Sequence, residues 1–127
     1  MEKQEPSSKK QILVIEDNAV CQKIYLSVLK GDYSVDVVAM ANDALNCVGK
    51  KNYHCIISDL GLPDMPGEEL LPLIRTNHLN KDTPVIVISA HVDEVLKQRC
   101  IASGANQVFI KPIDNKLLKE LIAKLSK

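Results

Sequence analysis

Five short apolar runs, each followed by a stretch with helical spacing, account for almost the whole chain. The first run, QILVIE (Gln11–Glu16), is nearly continuous in apolar residues, the pattern of a strand covered on both faces. After it, NAVCQKIYLSVLKG places Val20, Ile24, Leu26 and Val28 or Leu29 on one helical side and stops at Gly31. A second strand, YSVDVVAM, leads to ANDALNCVGKK, a short helix with Asn42 as its cap and Gly49 near its end. The third strand is HCIIS, and the helix after its loop is GEELLPLIRTN, in which Pro72 is tolerable if the helix starts near Pro66. TPVIVISA is the fourth strand, VDEVLKQRCIASG the next helix with Gly104 as its stop, NQVFI the fifth strand, and DNKLLKELIAKLSK a closing amphipathic helix.

Five β-then-α units in succession imply an α/β fold with a parallel sheet, right-handed crossovers and helices on both faces. The expected architecture is a doubly wound, flavodoxin-like (βα)5 sheet with strand order 2-1-3-4-5. Residues 1–10 read as a flexible tail and residues 11–127 as the domain. At 127 residues the chain is about one domain with a single core.

Composition narrows the function classes. With 16 basic residues against 16 acidic ones, no strongly basic balance points to a nucleic acid or an anionic membrane as partner. No apolar run approaches the roughly 20 residues of a membrane span, and MEKQEPSSKKQ lacks the apolar segment of a secretory signal, so a cytoplasmic chain is expected. Cys21, Cys47, Cys55 and Cys100 are scattered with no CxxC and no histidine at metal-ligand spacing, which reads as structural thiols.

The architecture says where chemistry belongs. In open parallel sheets, ligands sit beyond the carboxyl ends of the strands where strand order reverses, here between the first and third strands. Those strands end in Glu16-Asp17 and in Asp59. Three like charges on one edge raise one another's pKa unless a cation joins them, and hard oxygen donors in a small, partly hydrated site suit Mg2+. The fourth strand delivers Ser89 to the same edge and the fifth delivers Lys111, followed by Pro112. Taken singly, Asp17 could be a helix cap, Ser89 a strand-end hydroxyl and Lys111 a solvated amine. As a set they form a site for accepting a phosphoryl group.

These motifs resemble the receiver domain of two-component response regulators, from ILVIEDN at Ile12 to the final helix. The likeness rests on the acid pair Glu16-Asp17, on Asp59 with Pro63 and Gly67 in the pattern DLxLPxxxG, on VISA with Ser89, and on Lys111-Pro112. It implies that a histidine kinase or histidine phosphotransfer protein passes a phosphoryl group to Asp59. It further implies that Asp17, Asp59 and the backbone carbonyl of Gly61 ligate Mg2+, with Glu16 acting directly or through water. Ser89 would then bond the phosphoryl group, and Lys111 would pair with the acceptor before transfer and with the phosphate after it. A cis Lys111-Pro112 bond is implied as well. The chain would be a signalling domain that assists its own phosphorylation and dephosphorylation. The expected output is a changed surface around the fourth and fifth helices and the fifth strand, offered to a protein partner.

Two positions depart from the family. Where an aromatic residue is common, three before the lysine, this chain has Val108, and the nearest ring is Phe109. An aromatic rotamer switch is therefore not expected, which leaves Ser89 and its following loop as the route. His91, two residues after Ser89, reads either as an exposed loop histidine or as a residue that sets phosphate lifetime together with Gly61. SAHV at Ser89–Val92 resembles the TAHA style of receivers in hybrid histidine kinases, so a single-domain regulator and a receiver cut from a longer sensor kinase both remain open. Two rival classes fit less well. A haloacid-dehalogenase-type phosphatase needs a second aspartate two residues after the nucleophile, where this chain has Gly61. A flavodoxin-like cofactor binder needs a phosphate loop rich in Ser, Thr and Gly, where this chain has EDNAV.

Overall fold

A computed structural model describes residues 9–126. The tail expected over residues 1–10 falls mostly outside them, and Lys10 already belongs to the first strand. The elements run β1 (Lys10–Ile15), α1 (Ala19–Leu29), β2 (Tyr33–Val38), α2 (Ala41–Lys50), β3 (Cys55–Ser58), α3 (Gly67–Arg75), β4 (Val85–Ser89), α4 (Glu94–Ser103), β5 (Gln107–Ile110) and α5 (Asn115–Leu125). All neighbouring strands pair in parallel, in the order β2-β1-β3-β4-β5. The (βα)5 expectation holds in each element.

The two-residue period of a strand explains the two cores. Leu13 and Ile15, Ile56, Val85 and Val87, and Val108 face the side covered by Ala44, Val48, Leu70, Leu71 and Ile74 of α2 and α3. Ile12 and Val14, Cys55 and Ile57, and Ile86 and Ile88 face Tyr25, Leu29, Leu118 and Ile122 of α1 and α5. Strands β3 and β4 are buried throughout, as is β1 from Ile12 onward, which is why their sequences are continuous apolar runs. All four cysteines are free; Cys55 and Cys100 are buried, and burial pushes the Cys55 thiol up to about 12.

Two local expectations change. On α1, Tyr25 and Leu29 point inward, whereas Val20 and Ile24 are exposed. The helix is apolar round much of its girth, so two adjacent rows at four-residue spacing were candidates, and the row carrying the large Tyr25 ring is the one that fills the core. Helix α2 is not capped by Asn42. Its boundary residue Met40 makes no side-chain cap, and Asp64, from the loop after β3, accepts from the backbone N–H groups of Ala41 (2.8 Å) and Asn42 (2.9 Å) instead. Pro72 sits in α3, which begins at Gly67 as anticipated.

The edge strand β2 is held to the segment between α2 and β3 by a polar contact. The Tyr53 hydroxyl donates to Asp36 Oδ2 at 2.7 Å, and Lys51 Nζ lies 2.8 Å from the same oxygen. Burial pushes the Asp36 carboxyl up, but the bonds from Lys51 and Tyr53 outweigh it and hold the group below the ordinary carboxylate range. A depressed native pKa gives stability that is complete above the unfolded value of about 3.9 and is lost as pH falls through the lower native value. Asp36→Asn is therefore expected to lower the urea midpoint at pH 7 and to converge with the parent protein as the pH falls through the native Asp36 value. A deficit unchanged by pH would contradict it.

Candidate functional site

Every sequence-selected side chain arrives at the carboxyl edge of the sheet, because the ladder extends one residue past the strands. Glu16 N–H donates to Val38 O (2.9 Å), Asp59 N–H to Ile15 O (2.9 Å) and Lys111 N–H to Ser89 O (2.8 Å). The main chain of each functional residue is thereby fixed by a neighbouring strand. Gln22 Nε2 adds a bond to the Glu16 carbonyl at 2.6 Å, tying α1 to the end of β1.

Lys111 bridges two acids. Its Nζ lies 3.0 Å from Asp59 Oδ2 and 3.0 Å from Glu16 Oε1. The other oxygen of Asp59, Oδ1, accepts from the N–H of Leu60 at 2.7 Å and more distantly from that of Gly61 at 3.4 Å. Glu16 Oε2 accepts from Asn18 N–H at 3.1 Å. One carboxylate oxygen from each of Glu16, Asp17 and Asp59 lies within 4.8 Å of the others. Glu16 and Asp59 are buried and Asp17 is exposed, so the cluster is closed below and open on one side. A set of carboxylate oxygens open to water on one side fits a hard divalent cation of the size of Mg2+, and Glu16, Asp17 and Asp59 are the residues that would hold it.

Electrostatics separate the acids. Burial raises the Asp59 carboxyl, but Lys111, the Ser89 hydroxyl and the Leu60 N–H together outweigh it and keep the group below its ordinary value. For Glu16 burial wins over the bonds from Lys111 and Asn18, and its carboxyl is raised. The Lys111 ammonium is penalised by burial, yet its two acid partners raise its pKa above the ordinary lysine value. Asp59 is thus the more acidic of the two buried carboxyls, with the Lys111 ammonium fixed beside it.

The cleft above these groups has a volume of about 450 Å³ and is lined by Asp17, Asn18, Asp59, Gly61, Ser89 and His91, among others. His91 is exposed on its rim. The Lys111-Pro112 peptide bond is cis, as the resemblance implied. Val108 is buried in the core on the α2–α3 side, and Phe109 packs toward the opposite side with the α1 and α5 residues, so no ring occupies the position of the family's aromatic.

Sequence reasoning missed two contributors. The Asn18 side chain caps α1 by accepting from Cys21 N–H at 3.0 Å, while its own N–H holds Glu16. The cue was present, since asparagine before a helical run is a common cap. Gly67 was noted only as part of a pattern, and its reason is steric: a Cβ there would lie 2.5 Å from the Asp59 carbonyl oxygen and 2.5 Å from Leu60 Cα. Gly67 N–H also donates to Leu60 O at 2.8 Å, so α3 is seated directly on the acceptor's backbone. Gly67→Ala is expected to cost about 1–3 kcal/mol in urea unfolding, because the clash is with main chain that cannot rotate away. Gly61→Ala is the control, since nothing lies within 4 Å of a Cβ there. Equal stabilities for the two variants would refute the steric account.

Known proteins share this arrangement. The chain matches the family model of the response regulator receiver domain over residues 12–123. It is 34% identical over 116 residues to the transcriptional regulatory protein HprR of Escherichia coli, covering 91% of this chain and 49% of that protein. It is 33% identical over 114 residues to the two-component response regulator ARR12 of Arabidopsis thaliana, covering 87% and 19% respectively. The chain therefore spans about a fifth to a half of the length of these relatives. Among solved structures it resembles the receiver domain of the sensor histidine kinase PA1611 of Pseudomonas aeruginosa, with a TM-score of 0.85 and 25% identity over 93% of this chain and 98% of that one; that structure has a magnesium ion coordinated in its active-site cleft. Glu16, Asp17, Asp59, Ser89 and Lys111 on the carboxyl edge of a 2-1-3-4-5 sheet, together with the match over residues 12–123, make this chain a member of the response regulator receiver family, a receiver domain of two-component phosphorelay signalling.

Proposed function

We propose that Asp59 is the phosphoacceptor and that the donor is a phosphohistidine on a histidine kinase or histidine phosphotransfer protein. The observation that carries this reading is the placement of Lys111 Nζ 3.0 Å from Asp59 Oδ2, with oxygens of Glu16 and Asp17 within 4.8 Å of an Asp59 oxygen. The lysine keeps the acceptor ionised, so a carboxylate lone pair is available to attack phosphorus. A P–O bond forms on Asp59 as the P–N bond to the donor imidazole breaks, and the imidazole leaves with its electron pair and takes up a proton.

Glu16, Asp17, Asp59 and the Gly61 carbonyl would hold Mg2+, which when bound would supply positive charge to the phosphoryl group. Ser89 donates its hydroxyl to the transferred group, and Lys111 moves its pairing from the Asp59 carboxylate to a phosphoryl oxygen. The Lys111 ammonium offsets the charge that builds up on the phosphoryl oxygens during transfer. The receiver comprises residues 11–127. It is a signalling domain, not a turnover enzyme, and its own site assists both gain and loss of the phosphoryl group. Phosphorylation is read at the surface of α4, β5 and α5 by a protein partner, without direct contact to nucleic acid or membrane. Among the described residues no helix is long and apolar enough to cross a membrane, and we assign the chain to the cytoplasm, on the inner side of a membrane sensor if it belongs to a hybrid kinase.

The test is intact-mass spectrometry of the wild-type chain after incubation with acetyl phosphate, with and without Mg2+. One phosphoryl group is expected, dependent on Mg2+ and removed by hydroxylamine as an acyl phosphate is. A gain that resists hydroxylamine would place the group on a hydroxyl and overturn the assignment.

A further inference from the structure

Helix α4 is unevenly held. Of its residues only Cys100 is buried, with Leu96 half-buried against the core, while Val95 is 64% and Ile101 42% exposed. A helix with so narrow an apolar footing takes its position from its ties as much as from packing. Two ties come from α3. At the C-terminal end, Arg75 donates to the Gly104 carbonyl through Nε (3.1 Å) and Nη2 (2.7 Å), and its Nη1 is bound to the carbonyls of Asn80, Lys81 and Thr83. That end is a fixed point. Nearer the middle, Arg99 donates in a fork to Glu68, Nε to Oε2 at 3.0 Å and Nη2 to Oε1 at 2.7 Å.

The second tie is of a different kind. Its side chains are 58% and 29% exposed, so water competes for both partners and the pair can open. It also lies close to the acceptor. Glu68 follows Gly67, whose N–H is bound to Leu60 O and whose Cα packs on the Asp59–Leu60 backbone with no side chain between. Leu60 N–H is in turn bound to Asp59 Oδ1. A continuous run of bonds thus joins the acceptor carboxylate to α4: Asp59, Leu60, Gly67, Glu68, Arg99.

We propose that the Glu68–Arg99 fork is the tie through which the state of Asp59 sets the position of helix α4, with Arg99 a positioning residue outside the phosphoryl site. The inference rests on Asp59 being the acceptor. A group added to Asp59 alters the bond to Leu60 N–H, and the backbone on which Gly67 is seated shifts with it. A fork is sensitive to such a shift because both N–H···O bonds must stay aligned at once. Its opening frees the middle of α4 to move about the end pinned by Arg75. This route needs no aromatic at position 108, which is valine here.

Cys100 is a built-in reporter, buried on the inner side of α4. The experiment measures its alkylation rate by peptide-resolved mass spectrometry, which counts Cys21, Cys47 and Cys55 separately, in full-length protein with Mg2+ and with or without acetyl phosphate. In wild type, phosphorylation is expected to speed Cys100 labelling about two- to five-fold, the range an exposed ion pair can supply. Arg99→Gln should show fast labelling in both states, with phosphoryl stoichiometry unchanged. Arg99→Lys, which keeps the charge but cannot make two parallel bonds to Glu68, should recover little of the phosphorylation dependence. A purely structural role would raise the rates of Arg99→Gln but leave the phosphorylation-dependent ratio intact, and that result would overturn the proposal. Full phosphorylation of wild type with no change at Cys100 would also overturn it while leaving the acceptor assignment standing. Absence of the phosphoryl group from the mass spectrum would remove both.

Discussion

Asp59→Asn is expected to gain no mass from acetyl phosphate and Mg2+ under conditions where the wild-type chain gains one phosphoryl group. The amide has no ionised oxygen to attack phosphorus, and the acyl phosphate cannot form on it. The variant should still fold. Lys111 keeps Glu16 as a partner at 3.0 Å, and the main-chain bond from residue 59 to Ile15 O does not depend on the side chain. One of the three clustered charges is lost, so divalent-cation affinity should fall as well; two unit charges about 4 Å apart interact by about 4 kcal/mol at an effective dielectric near 20. Assay at Mg2+ concentrations that saturate the variant separates loss of the acceptor from loss of the ion. Loss of the phosphoryl gain together with weakened but measurable Mg2+ binding fits the acceptor assignment. A full gain in the variant would move the acceptor to a neighbouring group, with Ser58 and Ser89 the nearest hydroxyls on the same edge.

The placement of the edge residues was legible in the sequence for a physical reason. Buried strands β1, β3 and β4 write themselves as apolar runs, and a parallel sheet forces their ends to one edge, so Glu16, Asp17, Asp59, Ser89 and Lys111 were located without coordinates. The local signals that failed were those whose partners are distant in sequence. Asp64 caps α2 across 23 positions, and no reading of ANDAL alone could have found it. The double engagement of Lys111 by Glu16 and Asp59 likewise depends on rotamers, and strand order sets only the neighbourhood. On α1 the failure was of another type: an excess of apolar residues left the buried row undetermined, and the surplus, Val20 and Ile24, remains on the surface.

Removing Lys111 should expose how much the site costs the fold. The Lys111 side chain is 19% exposed, Glu16 1% and Asp59 8%, so the lysine is the internal counter-ion for two nearly buried carboxylates. Lys111→Met keeps most of the apolar stem and deletes only the charge. Breaking a buried pair by removing one partner costs about 3–5 kcal/mol, because the remaining charge is left without compensation. Here the open cleft admits water, so the loss should lie near the lower end, about 3 kcal/mol at pH 7 without metal. Two treatments should recover it. Mg2+ supplies the missing positive charge, so the variant should gain more stability from the ion than wild type does. Acid should also help: burial already raises the Glu16 carboxyl, and without the lysine it rises further. A native pKa above the unfolded value gives stability that is complete below the unfolded value, about 4.3 for glutamate, and lost as pH rises through the native one. The deficit of the variant should therefore be largest near pH 7 and narrow toward pH 5, read as the difference in urea midpoints. A deficit independent of both pH and Mg2+ would refute the role of Lys111 as counter-ion to Glu16 and Asp59.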